Sequence, residues 1–252
     1  PPMPTTLVVG ATGATGRLLV AQLLERGHRV RALVRSADRL PQDLRTHPRL
    51  DVIPGTVLDL PDRQLATHVA GCAGVASCLG HHVSARGIWG PPYRLVFGSV
   101  RRLVRTVLAS RGGAAGSSPE PPVKLVLMGS AGVRDPDTDE RAVWRERAAL
   151  ALLRALVPPH ADNEQAARCL RTGVPRDDPT VAWAVVRPDT LGDSPQVTAY
   201  ELHRSPTRSA LFDARRASRI NVAHVMARLL DDDAFFASWR GRMPVLYDAG
   251  SS

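Results

Sequence analysis

Three glycines near the start of the chain have the spacing of a turn that binds phosphate groups. Gly10, Gly13 and Gly16 follow an apolar run and precede a helical pattern. Glycine lets the backbone turn tightly and approach a pyrophosphate, and free N–H groups at the following helix N-terminus attract phosphates. A glycine turn without a ligand is the alternative interpretation. We expect a dinucleotide site that includes Gly10, Thr12, Gly13, Ala14, Thr15 and Gly16.

The end of the second predicted strand distinguishes the two nicotinamide dinucleotides. An NAD site would place Asp or Glu there to hold the ribose hydroxyls, whereas this chain has Arg35 and Ser36. A cation and a hydroxyl suit a 2′-phosphate, so we expect the cofactor to be NADP(H). Arg39 could add positive charge. Asp59 follows the third strand, where it would either touch adenine or cap the next helix.

The elements that would position these residues alternate between strand and helix. We predict strands at 5–10, 29–35, 51–54, 74–79, 123–128, 181–186 and 244–247. We predict helices at 15–26, 61–70, 93–110, 140–157, 162–171 and 221–230. This alternation favours an α/β fold, a Rossmann-type doubly wound parallel sheet. We expect one domain over 1–252, with pocket-forming insertions at 81–92 and 189–220 and a small C-terminal substrate lobe. We expect the region 190–219 to be irregular.

The charge, the apolar runs and the cysteine spacing of the chain argue against several classes of partner and site. The net charge is +9, from 32 Arg and one Lys against 24 acidic residues, but the arginines are scattered without a long basic block. We therefore expect no nucleic-acid partner. No apolar run reaches the ~20 residues that cross a bilayer, and no secretory signal is visible. Cys72, Cys78 and Cys169 lack the spacing of a zinc site, so we expect a cytoplasmic protein with no metal and no membrane partner.

Four segments together resemble the short-chain dehydrogenase/reductase superfamily, and most closely its atypical, NmrA-like NAD(P)-binding branch. These segments are 8–16, 33–35, 126–132 and 184–188. The resemblance implies that Ser130 occupies the active-site Ser or Thr position. It also implies that Leu79, Gly80 and His81 lie near the cofactor ribose and that Pro188 lies near the nicotinamide carboxamide.

The chain departs from that superfamily at its proton-transfer groups. The superfamily uses a Tyr and, four residues later, a Lys on the helix before strand six. The only lysine here is Lys124, at the start of strand five. Matching the helices puts Pro159 at the Tyr position and Asn163 at the Lys position. A cofactor can still carry the redox chemistry, but a proton must come from another group.

Three side chains are candidates for that catalytic work. His160 adjoins the missing Tyr and can shuttle protons near neutral pH; the alternative is a structural histidine after a Pro-Pro break. His81 follows strand four at the carboxyl edge of the sheet, where it faces either the pocket or a polar loop. Ser130 could relay a proton or orient a substrate. Asn163 could bond the ribose, and Asp162 is expected to cap its own helix.

The resemblance and the departure lead to three functional hypotheses. The first is an NADP(H)-dependent oxidoreductase that reduces a small carbonyl, enone or imine compound. The second is a non-catalytic, NmrA-like regulator that binds NADP and senses redox state. The third is a non-redox isomerase or cyclase that reuses the pocket. The expected partner is a small-molecule substrate, and a homodimer is compatible with all three.

Overall fold

The computed structural model describes residues 3–81, 93–111, 120–138, 157–209 and 212–250. Most of the predicted insertion at 81–92 lies outside the described residues, as does nearly all of the helix predicted at 140–157.

Eight strands form one twisted sheet, and two short strands pair beside it. The strands are β1 (Thr5–Val9), β2 (Arg29–Val34), β3 (Leu50–Pro54), β4 (Gly74–Ser77), β5 (Val123–Met128), β6 (Val181–Pro188), β7 (Thr190–Gly192), β8 (Tyr200–His203), β9 (Arg216–Ser218) and β10 (Val245–Asp248). The large sheet has the order β3-β2-β1-β4-β5-β6-β10-β8, and β7 pairs with β9. All neighbours in the large sheet are parallel except β8, which runs antiparallel to β10 at the edge. This topology confirms the predicted doubly wound fold.

Helices cover both faces of the sheet, because its central strands are apolar on both sides. The helices are α1 (Ala14–Glu25), α2 (Gln42–Arg45), α3 (Asp62–Val69), α4 (Leu95–Arg111), α5 (Pro158–Gly173), α6 (Arg219–Asp231) and α7 (Asp233–Trp239), with a 3₁₀ turn at Ala37–Arg39. Helices α1 and α6 pack on one face, and α3, α4 and α5 pack on the other. Strands β2 and β3 lie on one side of β1, and β4, β5 and β6 lie on the other. The order of strands therefore switches between β1 and β4, which opens a crevice at the carboxyl ends of these strands.

Two predictions about local structure are wrong. Helix α5 begins at Pro158, four residues before the predicted start at Asp162; proline suits a first helical turn, because the N–H it lacks would have no helical partner there. The region 190–219 is not irregular throughout, since it contains β7, β8 and β9. Strand β8 extends the main sheet through its pairing with β10, a long-range contact that no local pattern indicates.

The described residues contain neither a membrane-spanning helix nor a metal-binding cluster. No helix among them is both long and apolar enough to cross a membrane. Within the same ranges, no group of three or more His, Cys, Asp or Glu side chains is arranged to hold a metal ion.

Candidate cofactor and substrate site

The glycine turn between β1 and α1 is packed so tightly that side chains cannot replace two of its glycines. Gly10 has a φ of +76°, and a Cβ there would lie 2.6 Å from the carbonyl carbon of Cys78. A Cβ on Gly16 would lie 2.0 Å from the carbonyl oxygen of Gly10. These contacts bring α1 close to the sheet and leave the turn backbone exposed to the crevice, as a dinucleotide site requires.

The N-terminus of α1 is open to an anion. Its N-cap residue is Gly13, which has no side chain to bond the first N–H groups, and the first turn holds no acidic residue. The first N–H groups of a helix have no partner within the helix, and the helix dipole adds positive potential. The end of α1 therefore fits the pyrophosphate of a nicotinamide dinucleotide.

A cleft of about 400 Å³ extends from this turn across β2 and β4. Seven of the predicted cofactor residues line it: Gly10, Thr12, Gly13, Arg35, Asp59, Leu79 and Gly80. Arg39 lines it too. Ala14, Thr15, Gly16, Ser36, Asn163 and Pro188 are outside this lining, and their contact with a cofactor stays a prediction. Gly16 and Thr15 are buried in the turn that supports the cleft.

The far end of the cleft carries positive charge. Arg35 and Arg39 are both exposed and both line the cleft beyond the end of β2. Asp59, on the opposite loop, accepts a hydrogen bond from the Thr56 hydroxyl at 2.7 Å. The alternative that Asp59 caps the next helix is wrong, because α3 begins three residues later with Pro61 as its N-cap and no side-chain cap.

Ser130 and His160 meet around Gly132. The Ser130 hydroxyl accepts a hydrogen bond from the Gly132 N–H at 3.3 Å. A Cβ on Gly132 would lie 3.3 Å from Cε1 of His160 and 3.7 Å from Oγ of Ser130. The loop after β5 and the first turn of α5 thus bring two of the three predicted catalytic side chains together.

His160 is held in an orientation that leaves one ring nitrogen available. It is 8% exposed, and its Nε2 has no hydrogen-bond partner among the described residues. That nitrogen lies 3.5 Å from Oε1 of Glu164, one helical turn later. A buried nitrogen without a hydrogen bond is costly unless a ligand or a water satisfies it.

The third candidate, His81, is tied to α5 through Asp162. Nε2 of His81 lies 2.9 Å from Oδ2 of Asp162. The same carboxylate accepts the N–H groups of Val96 at 2.8 Å and Phe97 at 3.0 Å. The prediction that Asp162 caps its own helix is wrong: Asp162 lies inside α5, is 1% exposed and instead caps α4. The tertiary contact prevails because α4 would otherwise begin with buried, unpaired N–H groups.

A buried arginine supports the loop that carries Ser130. Arg187, in β6, has no exposed surface, and its guanidinium donates to the carbonyls of Met243 at 2.6 Å and Val133 at 2.8 Å. The carbonyl of Pro188 accepts the N–H of Ala131 at 2.9 Å. These contacts fix the loop 129–133 against the end of β6.

Asp189 follows Pro188 and is a further titratable group at this edge. Burial raises the pKa of its carboxyl, while hydrogen bonds from the N–H groups of Arg215 and Thr190 oppose that increase. The carboxyl is thereby closer to its neutral form than an exposed aspartate at the same pH. Its position beside Pro188 makes it a fourth polar group at the carboxyl edge.

The sequence analysis missed the roles of Asp162 and Arg187. A charged residue inside the apolar run of β6 was a signal for Arg187, because such a residue is buried only with partners. No comparable local signal existed for Asp162, whose partners lie in the segment after β4 and in α4. Lys124 is confirmed as remote from α5: its Nζ lies 3.1 Å from the carbonyl oxygen of Leu230 and 2.6 Å from Oδ1 of Asp233.

Solved structures share this fold over nearly the whole chain. A short-chain dehydrogenase/reductase (wide type) from Veillonella parvula, in complex with NADP, has a TM-score of 0.68 at 16% identity, covering 98% of this chain and 96% of that one. An oxidoreductase from Lactococcus lactis has a TM-score of 0.66 at 14% identity, covering 98% and 92%. At these identities the likeness establishes the fold.

Curated relatives match over shorter stretches. A 3-beta-hydroxysteroid dehydrogenase from Mycolicibacterium neoaurum is 46% identical over 65 residues, which is 26% of this chain and 16% of that protein. A 3 beta-hydroxysteroid dehydrogenase/Delta 5-->4-isomerase from Mycobacterium tuberculosis is 47% identical over 53 residues, or 21% and 13%. The matched part thus spans less than a fifth of the length of either relative.

A family match covers most of the chain. The sequence model of a family described as NAD(P)H-binding matches residues 10–233. That range begins at the first glycine of the turn and ends in α7, so it contains the cleft and the loops around Ser130 and His160. Together with the open helix N-terminus and the glycine cradle, the match shows that the chain belongs to the NAD(P)H-binding family, with a fold like that of the short-chain dehydrogenases/reductases.

Proposed function

We propose that this protein is an NADP(H)-dependent oxidoreductase that reduces a small carbonyl, enone or imine compound. The observation that carries the proposal is the convergence of Ser130 and His160 around Gly132, at the edge of the sheet where α/β folds bind their ligands. The reduced nicotinamide, when bound, supplies the reducing equivalent. The chain's own residues must then bind the cofactor, orient the substrate and supply a proton.

Cofactor selection is assigned to the far end of the cleft. Arg35 and Arg39 line it, and the end of β2 offers no carboxylate to hold a free ribose hydroxyl. Guanidinium groups make short, charge-assisted hydrogen bonds to phosphate. These residues support a preference for the 2′-phosphate of NADP(H) over NAD(H), while Gly13 and the first turn of α1 would hold the pyrophosphate.

Proton supply is assigned to His160, with Ser130 orienting the substrate oxygen or nitrogen. His160 Nε2 is buried and has no hydrogen bond to the described residues, so a bound substrate could receive a proton there. Oε1 of Glu164 lies 3.5 Å from that nitrogen and would help to hold the ring in place. His81 is the alternative donor, and its contact with Asp162 fixes the orientation of its ring.

A second candidate function is a non-catalytic regulator that binds NADP. The absence of a second lysine from the whole sequence favours it, because the chain cannot form the Tyr/Lys pair of the superfamily that it resembles. A non-redox isomerase or cyclase is a third candidate, which the same absence favours.

Turnover separates these candidates. Purified protein is mixed with NADPH and a panel of aldehydes, ketones, enones and cyclic imines, and loss of the reduced-nicotinamide absorbance is recorded. The proposal predicts protein-dependent oxidation of NADPH with at least one of these classes. Tight binding of NADPH without turnover across the panel would favour the regulator, and substrate conversion without NADPH oxidation would favour the isomerase or cyclase.

A further inference from the structure

A second cavity lies on the outer surface of helices α3 and α4. It encloses about 490 Å³ and is lined by Asp62 and Ala66 from the α3 side and by residues between Arg94 and Ala109 from the α4 side. Its lining shares no residue with that of the cofactor cleft. We call this cavity the α3–α4 groove. Its volume falls within the range typical of small-molecule sites.

Three exposed arginine side chains line this groove and give it positive charge. Arg94, Arg101 and Arg105 line it, and none of their guanidinium groups has an ion pair or hydrogen bond within the described part of the chain. Their spacing of seven and four residues places them on one face of the helix. The groove therefore presents three guanidinium groups along a single line.

The acidic residue in the lining does not neutralise them. Oδ1 of Asp62 lies 2.6 Å from Nη2 and 3.1 Å from Nε of Arg102. Arg102 also donates to the carbonyls of Val57 at 2.6 Å and Leu58 at 2.8 Å. Arg102 and Asp62 thus satisfy each other and hold the wall of the groove, while no acidic side chain of the described ranges pairs with the other three arginines.

This arrangement opposes the stability of α4 in the absence of a ligand. Arg101 and Arg105 are four residues apart, where like charges on a helix repel each other. Helix α4 itself contains no acidic residue between Leu95 and Arg111, so no charge of opposite sign on the same helix relieves the repulsion. An anion bound between these side chains would turn the repulsion into attraction.

We propose that the α3–α4 groove binds a compact anion with several phosphate groups, at a site separate from the cofactor cleft. Guanidinium groups match phosphate oxygens with paired, charge-assisted hydrogen bonds. The three arginines span eleven residues of helix, or roughly 16 Å at 1.5 Å per residue. That length suits a short chain of phosphates better than a nucleic-acid duplex, which would require a longer basic surface.

Calorimetric titration with inorganic tripolyphosphate tests the site. The full chain is first saturated with NADPH, so that the glycine turn cannot bind the probe. We expect one tripolyphosphate per chain, and about tenfold or greater loss of affinity in the R101A/R105A variant. Arg168→Ala is the matched control, because Arg168 is exposed, lies on the neighbouring helix α5 and is outside the groove lining.

The titration has one result that supports the proposed site and several that overturn it. Retention of NADPH binding by R101A/R105A shows that the variant is folded, and loss of tripolyphosphate binding by it alone supports the site. No binding by the wild-type chain, or equal binding by R101A/R105A, overturns the proposal. An equal loss in Arg168→Ala overturns it too, because the effect is then one of general charge. If a short DNA duplex binds more tightly than tripolyphosphate, and this binding depends on Arg101 and Arg105, the ligand is a nucleic acid and the proposal is overturned.

Discussion

Nε2 of His81 lies 2.9 Å from Oδ2 of Asp162, although 81 residues separate the two along the chain. The same carboxylate accepts two of the N–H groups in the first turn of α4, those of Val96 and Phe97. One buried side chain therefore joins the end of β4, the start of α4 and the first turns of α5. The positions of His81 and His160 relative to each other depend on this carboxylate.

Asp162→Ala should destabilise the fold. It leaves two helix N–H groups and a histidine without their acceptor, and breaking a buried charged contact of this kind costs about 3 kcal/mol of unfolding free energy. Urea denaturation measures the loss. Asp43→Ala, at an exposed position of α2, should change stability by less than about 0.5 kcal/mol. Equal stability of Asp162→Ala and wild type would show that the carboxylate does not hold these elements.

Arg35→Ala should weaken NADPH much more than NADH. Loss of charge-assisted hydrogen bonds to a 2′-phosphate corresponds to about a ten- to hundredfold increase in the NADPH dissociation constant. Fluorescence titration with both cofactors measures it. Arg29→Ala is the control, since Arg29 lies at the other end of β2 and pairs with Asp51. Equal weakening of NADPH and NADH would contradict the phosphate assignment.

Gly16→Ala should abolish cofactor binding and lower the melting temperature. Its methyl group would lie 2.0 Å from the carbonyl oxygen of Gly10, so the turn must open, at a cost of roughly 1–3 kcal/mol. Gly173→Ala is the matched control, because a Cβ at Gly173 meets nothing within 4 Å. Thermal unfolding and NADPH titration are recorded for both variants. Normal NADPH affinity in Gly16→Ala would show that the close approach is not required.

The sequence predicted the sheet, the glycine turn and the cleft-lining Arg35 because each depends on local pattern. Apolar runs of β1 and β6 show buried strands, and the spacing of Gly10 and Gly16 requires close backbone approach. Predictions from the sequence were wrong where the partners of a residue or a strand lie far away along the chain. The carboxylate of Asp162 looked like a local cap, and only the fold shows that α4 starts beside it. Likewise, β8 joins the sheet through β10, which lies more than forty residues away.

Stability should fall as the pH decreases below 6.5. Burial lowers the pKa of His28 from its ordinary value of 6.5, although its contact with Asp231 opposes this, and burial also lowers the pKa of His224. At pH values between the folded-state and unfolded-state pKa of each histidine, the unfolded chain binds more protons than the folded chain. The free energy of unfolding therefore rises with pH in this range, and the two histidines stop destabilising the fold above about pH 6.5. His28→Gln should flatten this dependence, measured by urea denaturation at several pH values. His47→Gln, in a loop, is the control; an unchanged slope in His28→Gln would contradict the assignment to His28.

His160→Ala should lower turnover by about a hundredfold or more, the usual contribution of general acid catalysis, with little change in NADPH affinity. The histidine lies outside the cofactor-lining residues and its Nε2 has no hydrogen bond within the described ranges. Steady-state rates and NADPH titration are compared with those of His47→Ala. Unchanged turnover would assign His160 a structural role and leave His81 as the candidate donor.

The central claim is that the bound nicotinamide is used for reduction, and isotope transfer tests it most directly. Wild-type protein is incubated with NADPH that carries deuterium at both C4 positions of the nicotinamide, together with the panel of carbonyl, enone and imine compounds, and the products are examined by mass spectrometry. We predict products that contain one deuterium from the cofactor, formed in proportion to the NADP⁺ produced. Products without the label, or no product while NADPH is bound, would contradict the assignment as an oxidoreductase.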